Sequence, residues 1–119
     1  MTSRQLSATT EPSALAVPSS VGKPRRLTAI DGTVRHFSVV EEIVREQVGV
    51  EDGTRKVIYF QKIVFKDTGL EEYRFTYYML GLKPGARGRW VFGQYSLLIP
   101  GPLLAELLQE ARQRGWNYV

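Results

Sequence analysis

From Lys56 the chain reads as strand: Val57, Ile58, Tyr59, Phe60, Ile63, Val64 and Phe65 are β-branched or aromatic, and Asp67-Thr68-Gly69 ends the run with turn chemistry. The next run alternates. Tyr73, Phe75, Tyr77 and Met79 fall on one face and Arg74 and Thr76 on the other, so a strand of period two buries the aromatic row and pairs back on the first as an antiparallel hairpin. Between Gly81 and Gly88, Lys83-Pro84-Gly85 supplies a proline that sets φ and a glycine that permits a positive one. A third strand, Arg89 to Leu98, returns from that loop, and Gly93 within it predicts a bulge or a close backbone approach.

The pattern then changes period. Leu103, Leu104, Leu107, Leu108 and Ala111 recur at three- and four-residue spacing, which predicts a helix over about 102–114. Gly101 suits the N-cap and Pro102 the first helical position; Arg112 and Arg114 complement the dipole, and Gly115 closes the helix with Trp116 folding back. Residues 34–48 are ambiguous. Ser38 and Glu41 have capping-box spacing, with Val39, Val40, Ile43 and Val44 as a helical stripe. The alternation of Val40, Glu42, Val44, Glu46 and Val48 before the Asp52-Gly53 turn favours a strand paired with 56–66. Leu27 to Ile30, before Asp31-Gly32, adds a further short strand. The fold class is α+β: a four- or five-stranded antiparallel meander with one C-terminal helix packed on the sheet.

Composition divides the chain. Thirteen of the first twenty residues are Ser, Thr, Ala or Pro, with no apolar periodicity, so residues 1–25 read as a disordered tail and 26–119 as a single domain. Arg4 alone among the first twenty residues makes a poor basic transit helix, and neither a secretory core nor a run of 18 apolar residues occurs, so a cytoplasmic protein without membrane contact is expected. The net charge of +4 suggests nucleic acid until it is partitioned. Arg4, Lys23, Arg25 and Arg26 against Glu11 give +3, and the rest holds 12 basic and 11 acidic residues, a balance of +1. Electrostatic binding therefore has to come from placement rather than from total charge.

The residue inventory excludes most catalytic constellations. With no cysteine and one histidine, His36, the chain has no thiolate site and no disulfide, and the nearby Ser38 has no third group to orient the ring. The carboxylates come as neighbours (Glu41-Glu42, Glu51-Asp52, Glu71-Glu72), which a strand sends to opposite faces. No enzyme, metal site or cofactor is expected. Binding is suggested instead by Lys83, Arg87 and Arg89 beside Trp90, Phe92 and Tyr95, since cations follow phosphates while bases stack on aromatic rings. Arg55, Lys56, Lys62, Lys66 and Arg74 add positive charge on the sheet. The candidate nucleic-acid-binding residues are Lys83, Arg87, Arg89, Trp90, Lys62 and Arg74. Two readings stay open: a small non-enzymatic domain holding single-stranded nucleic acid, or a protein-interaction or assembly module anchored by Trp90, Tyr95, Trp116 and Tyr118.

Over roughly residues 56–114, strands followed by a terminal helix, with Lys83-Pro84-Gly85-Ala86-Arg87-Gly88 between the later strands, resemble the positive cofactor 4 family of single-stranded-DNA-binding transcriptional coactivators. The resemblance implies a DNA-binding domain whose curved sheet grips single strands, with Lys83, Arg87 and Arg89 in the basic loop and a homodimer formed through the helix. This chain departs from the family in the longer strand after the loop, a tail not rich in lysine and a nearly neutral domain.

Overall fold

A computed structural model describes residues 17–47, 55–80, 88–93 and 96–119. Five strands, β1 (Pro24–Thr28), β2 (Val34–Gln47), β3 (Lys56–Phe65), β4 (Glu71–Leu80) and β5 (Trp90–Phe92), form one sheet in the order β1-β2-β3-β4-β5, and α1 (Gly101–Gln113) follows. Every neighbouring pair is antiparallel, so the sheet is a meander with a C-terminal helix, the α+β architecture that the sequence pattern implies. The ambiguous segment at 34–48 is strand through Gln47.

The turns form where side chains supply bonds that the ladder cannot. After β1, Gly32 takes φ +89° and the Thr33 N–H donates to Asp31 Oδ1 at 2.9 Å. After β3, Gly69 takes φ +69° and the Leu70 N–H donates to Thr68 Oγ1 at 3.1 Å, while Asp67 pairs with Arg35 on β2. The Asp52-Gly53 turn lies outside the described residues.

A bulge in β2 decides which side chains meet. Val39 pairs with Ile63 and Glu41 with Lys62, so Val40 is an extra residue and the side-chain parity reverses there. Phe37 and Val39 consequently join Ile63 and Phe65 on one face, whereas Ile43 points to the other, with Ile58, Phe60 and Tyr77. On that second face Leu107, Ala111 and Trp116 complete the main core. The aromatic row of β4 lies on this helix side as well, although only Tyr77 is fully buried and Phe75, stacked on Phe60 at 4.3 Å, stays partly open to solvent.

The helix begins one residue earlier than its pattern suggests. Pro100, with φ −55° and ψ 139°, is the cap residue, and its carbonyl accepts the Leu104 N–H; Gly101 and Pro102 are already helical. At the other end the sequence expectation holds in detail. Gly115 takes φ +81°, its N–H donates to the Arg112 carbonyl and the Trp116 N–H to that of Ala111, a Schellman motif that folds Trp116 back onto Phe60 and Tyr73.

Two expectations need adjustment. The strand expected over 89–98 is three residues long among the described residues: Gly93 still donates its N–H to the Tyr77 carbonyl, and Leu97 and Ile99 pack on the helix-side core rather than in the sheet. Of the composition-defined tail, residues 1–16 lie outside the described residues; further on, the Tyr59 hydroxyl donates to the Pro18 carbonyl at 2.6 Å and the Gly22 N–H to Val39 at 2.9 Å, with Ser20 buried. That strap crosses the face opposite the helix, and β1 starts at Pro24.

Candidate functional site

The helix side of the sheet carries Lys56 and Lys62, and the fold has already engaged them. Lys62 pairs with Glu41 at 3.2 Å and lies over the Trp116 ring at 5.4 Å; Lys56 donates to the Leu98 carbonyl at 3.0 Å and lies over Tyr77 at 5.3 Å. Both ammonium groups therefore serve the junction between sheet and helix. Trp116, at 3% exposure, donates its indole N–H to Glu41 at 3.0 Å, which places it in the core rather than among interface anchors. The indole bond and Lys62 hold the Glu41 carboxyl below the usual carboxylate range.

Arg74 and Trp90 are on the other face. Arg74 stands opposite Gln61 and Trp90 opposite Leu80, so both project away from the helix, and a ligand on the surface of the sheet meets this pair or Lys62 but not all three. Next to them, Tyr78 pairs with Phe92, their rings edge to face at 5.3 Å, and Tyr59 meets Tyr78 in the same way at 5.3 Å. Phe92 is 45% exposed. Arg55, held by Glu46 through two bonds of 2.7 and 2.8 Å, covers the Trp90 ring at 5.2 Å. The Trp90 Nε1 is buried without a hydrogen-bond partner among the described residues, and so is Thr76 Oγ1 on the same face. An unsatisfied buried donor of this kind costs about 1 to 3 kcal/mol.

Arg74 is fixed by a chain of polar side chains. Its Nε donates to Gln61 Oε1 at 2.7 Å, Gln61 Nε2 donates to Glu42 Oε1 at 2.9 Å, and Ser19 Oγ donates to Glu42 Oε2 at 2.8 Å. Its guanidinium lies 4.9 Å from the Phe37 ring centroid, across β3, which shows how far the sheet curls toward this side. Burial lowers the Arg74 pKa, and the neighbouring Arg25 charge acts in the same direction.

Arg89, just before β5, is exposed; Lys83, Arg87 and Tyr95 lie outside the described residues. His36 is exposed on β2. Tyr78, Gln61 and Arg25 belong to the helix-free face yet were not singled out from the sequence. The parity that put Arg74, Thr76 and Tyr78 together was legible in β4, but it read as the solvent side of an ordinary two-faced strand. The arrangement defines a curled antiparallel sheet with one face committed to a helix and the other set with arginine and aromatic side chains. Comparison with protein-family models, curated proteins and solved structures finds no match to the chain.

Proposed function

We propose that the protein is a non-enzymatic binding domain that holds single-stranded nucleic acid on the helix-free face of its sheet. One observation carries the reading: this face aligns Arg74, Tyr78, Trp90 and Phe92, with the Phe92 ring open to solvent and the Trp90 N–H without an acceptor. A cationic side chain in line with an exposed aromatic ring suits a strand whose phosphates need charge and whose bases need a stacking surface. Arg74 and Tyr78 are four residues apart on β4, about 13 Å at 3.3 Å per residue, so the surface is long enough to follow a backbone rather than a single base. Lys83 and Arg87 fall in the sequence between β4 and β5, and Arg89 follows them. The likeness in strand, loop and helix order to the positive cofactor 4 family supports the same class of ligand.

The test is fluorescence anisotropy of a labelled single-stranded oligonucleotide titrated with the full chain at low and physiological salt. Affinity is expected to fall steeply with salt as counterions are released. Phe92→Ala should cost about 1 to 3 kcal/mol, the value of one stacked base, and Arg89→Glu should weaken binding further at low salt. Tyr118→Ala, on the helix side against Tyr73, should change nothing. Absence of binding at low salt, or salt-independent binding indifferent to Phe92→Ala, overturns the reading and moves weight to a protein partner.

A further inference from the structure

We infer that Arg25 and Arg74 form a two-guanidinium site for one phosphate group on the helix-free face. It rests on the nucleic-acid reading for the source of that phosphate, a backbone diester, and the side-chain geometry specifies the rest. Arg25 on β1 stands directly opposite Phe37 in the register, and Arg74 on β4 reaches the same ring from the far side of the curl at 4.9 Å. The curl thus brings Arg74 over the ring that Arg25 faces across the β1–β2 pair, close enough for the two charges to act on one another although their strands are not neighbours.

Neither cation has a carboxylate in direct ion-pair contact: among the described residues none lies within 4.0 Å of either guanidinium, whereas Arg35, Arg45, Arg55 and Arg114 all have such a partner. Glu42, the acid of this network, spends its two oxygens on Gln61 and Ser19. Arg25 Nη2 donates to Ser20 Oγ at 3.0 Å and Nη1 makes only a long 3.4 Å contact with the Pro24 carbonyl. Arg74 uses its Nε on Gln61, which fixes the plane of the fork, and its two terminal nitrogens are neither bonded within the described residues nor among the fully buried polar atoms. A guanidinium held at Nε with its terminal N–H groups unbonded and not wholly buried can donate in bidentate fashion to phosphate oxygens. The second guanidinium raises the demand for an anion, and burial together with Arg25 already lowers the Arg74 pKa. Glu42 offsets part of this charge from beyond Gln61, and a phosphate that meets both guanidinium groups directly relieves the rest.

The experiment uses the full chain, with Arg25→Gln and Arg74→Gln as variants. Thermal unfolding is followed in inorganic phosphate against chloride at equal ionic strength, and anisotropy is measured with the labelled oligonucleotide over a salt series. Phosphate should raise the unfolding midpoint of the wild-type chain and of neither variant. Oligonucleotide affinity should drop in both variants, and the salt slope should flatten by about one for the lost contact. Arg25 sits on an edge strand, so Arg25→Gln decides the matter if Arg74→Gln does not fold. Oligonucleotide binding that both variants retain in full, slope included, overturns the phosphate site and leaves the nucleic-acid reading standing. Phosphate stabilisation lost in both variants, without any oligonucleotide binding, upholds the site as one for free phosphate and removes the nucleic-acid reading. No phosphate effect and no oligonucleotide binding overturn both.

Discussion

Gly93 sits where any side chain would collide with the core. A carbon added at its Cβ position falls on the ring of Tyr77, which is buried and cannot swing out without vacating the space beneath Lys56. Gly93→Ala should therefore destabilise the chain by about 1 to 3 kcal/mol, the usual cost of overpacking, read as a lower urea midpoint at unchanged m. An unchanged midpoint would mean that Tyr77 yields freely. The glycine was legible as a close approach from its place in a strand; its partner was not, because Tyr77 comes from another strand and pairs with it through a register that sequence does not print. Trp116 is the counterpart at the helix end. Its ring fills the gap between Phe60 and Tyr73, and truncation to alanine should cost about 3 to 5 kcal/mol, as large aromatic deletions do. Trp116→Phe should recover part of that loss, since it keeps an aromatic ring while giving up the rest of the indole and its bond to Glu41.

The helix is docked by charge as well as by packing. Arg45 on β2 bridges Glu106 and Glu110, and Arg114 meets Glu110, Glu41 and the Glu42 carbonyl, so the last turn of α1 is clamped to the middle of β2. For Glu110 burial acts to raise the pKa, but the bonds from Arg45 and Arg114 prevail and the net shift is downward. Glu41 shifts downward too, through the Trp116 indole and Lys62. A carboxylate whose folded pKa lies below its unfolded one contributes stability at every pH above the unfolded value, and that contribution is lost as pH falls through the folded value. Urea midpoints should accordingly decline on acidification below the ordinary carboxylate range. Glu41→Gln should start lower at neutral pH and decline less; an equal decline in both would show that Glu41 is not part of the clamp. Within this element the apolar spacing and the Gly115 closure were readable from sequence, because both follow from local rules. The bulge at Val40 was not. Phe37, Val39 and Ile43 share parity along the chain, and only pairing with β3 sends the first two to one face and the third to the other.

At the scale of the molecule, that bulge divides the labour between the two faces. It turns Ile43 and Glu41 toward α1 and leaves Phe37 on the curled side, where Arg74 lies over its ring and Arg25 stands opposite it on β1. The meander, its strand count and its helix follow from periodicity, and the sequence supports them well. The candidate surface was half legible: Arg74 and Trp90 share the helix-free face, but Lys62 parts from them because face assignment depends on long-range pairing, and its charge is engaged by Glu41. The outward positions of α1, Ala105, Glu106, Gln109 and Arg112, are exposed and mostly polar, so an apolar seam for a second helix is not found among them. The two tryptophans report on the two faces separately: Trp90 has a free indole N–H on the helix-free side, and Trp116 has one bonded to Glu41 on the other. The decisive measurement is a ¹H–¹⁵N titration of the full chain with a single-stranded oligonucleotide, following both indole resonances. Ligand on the helix-free face should move the Trp90 resonance in a saturable way and leave that of Trp116 in place. Binding that moves Trp116 and leaves Trp90 still would contradict it.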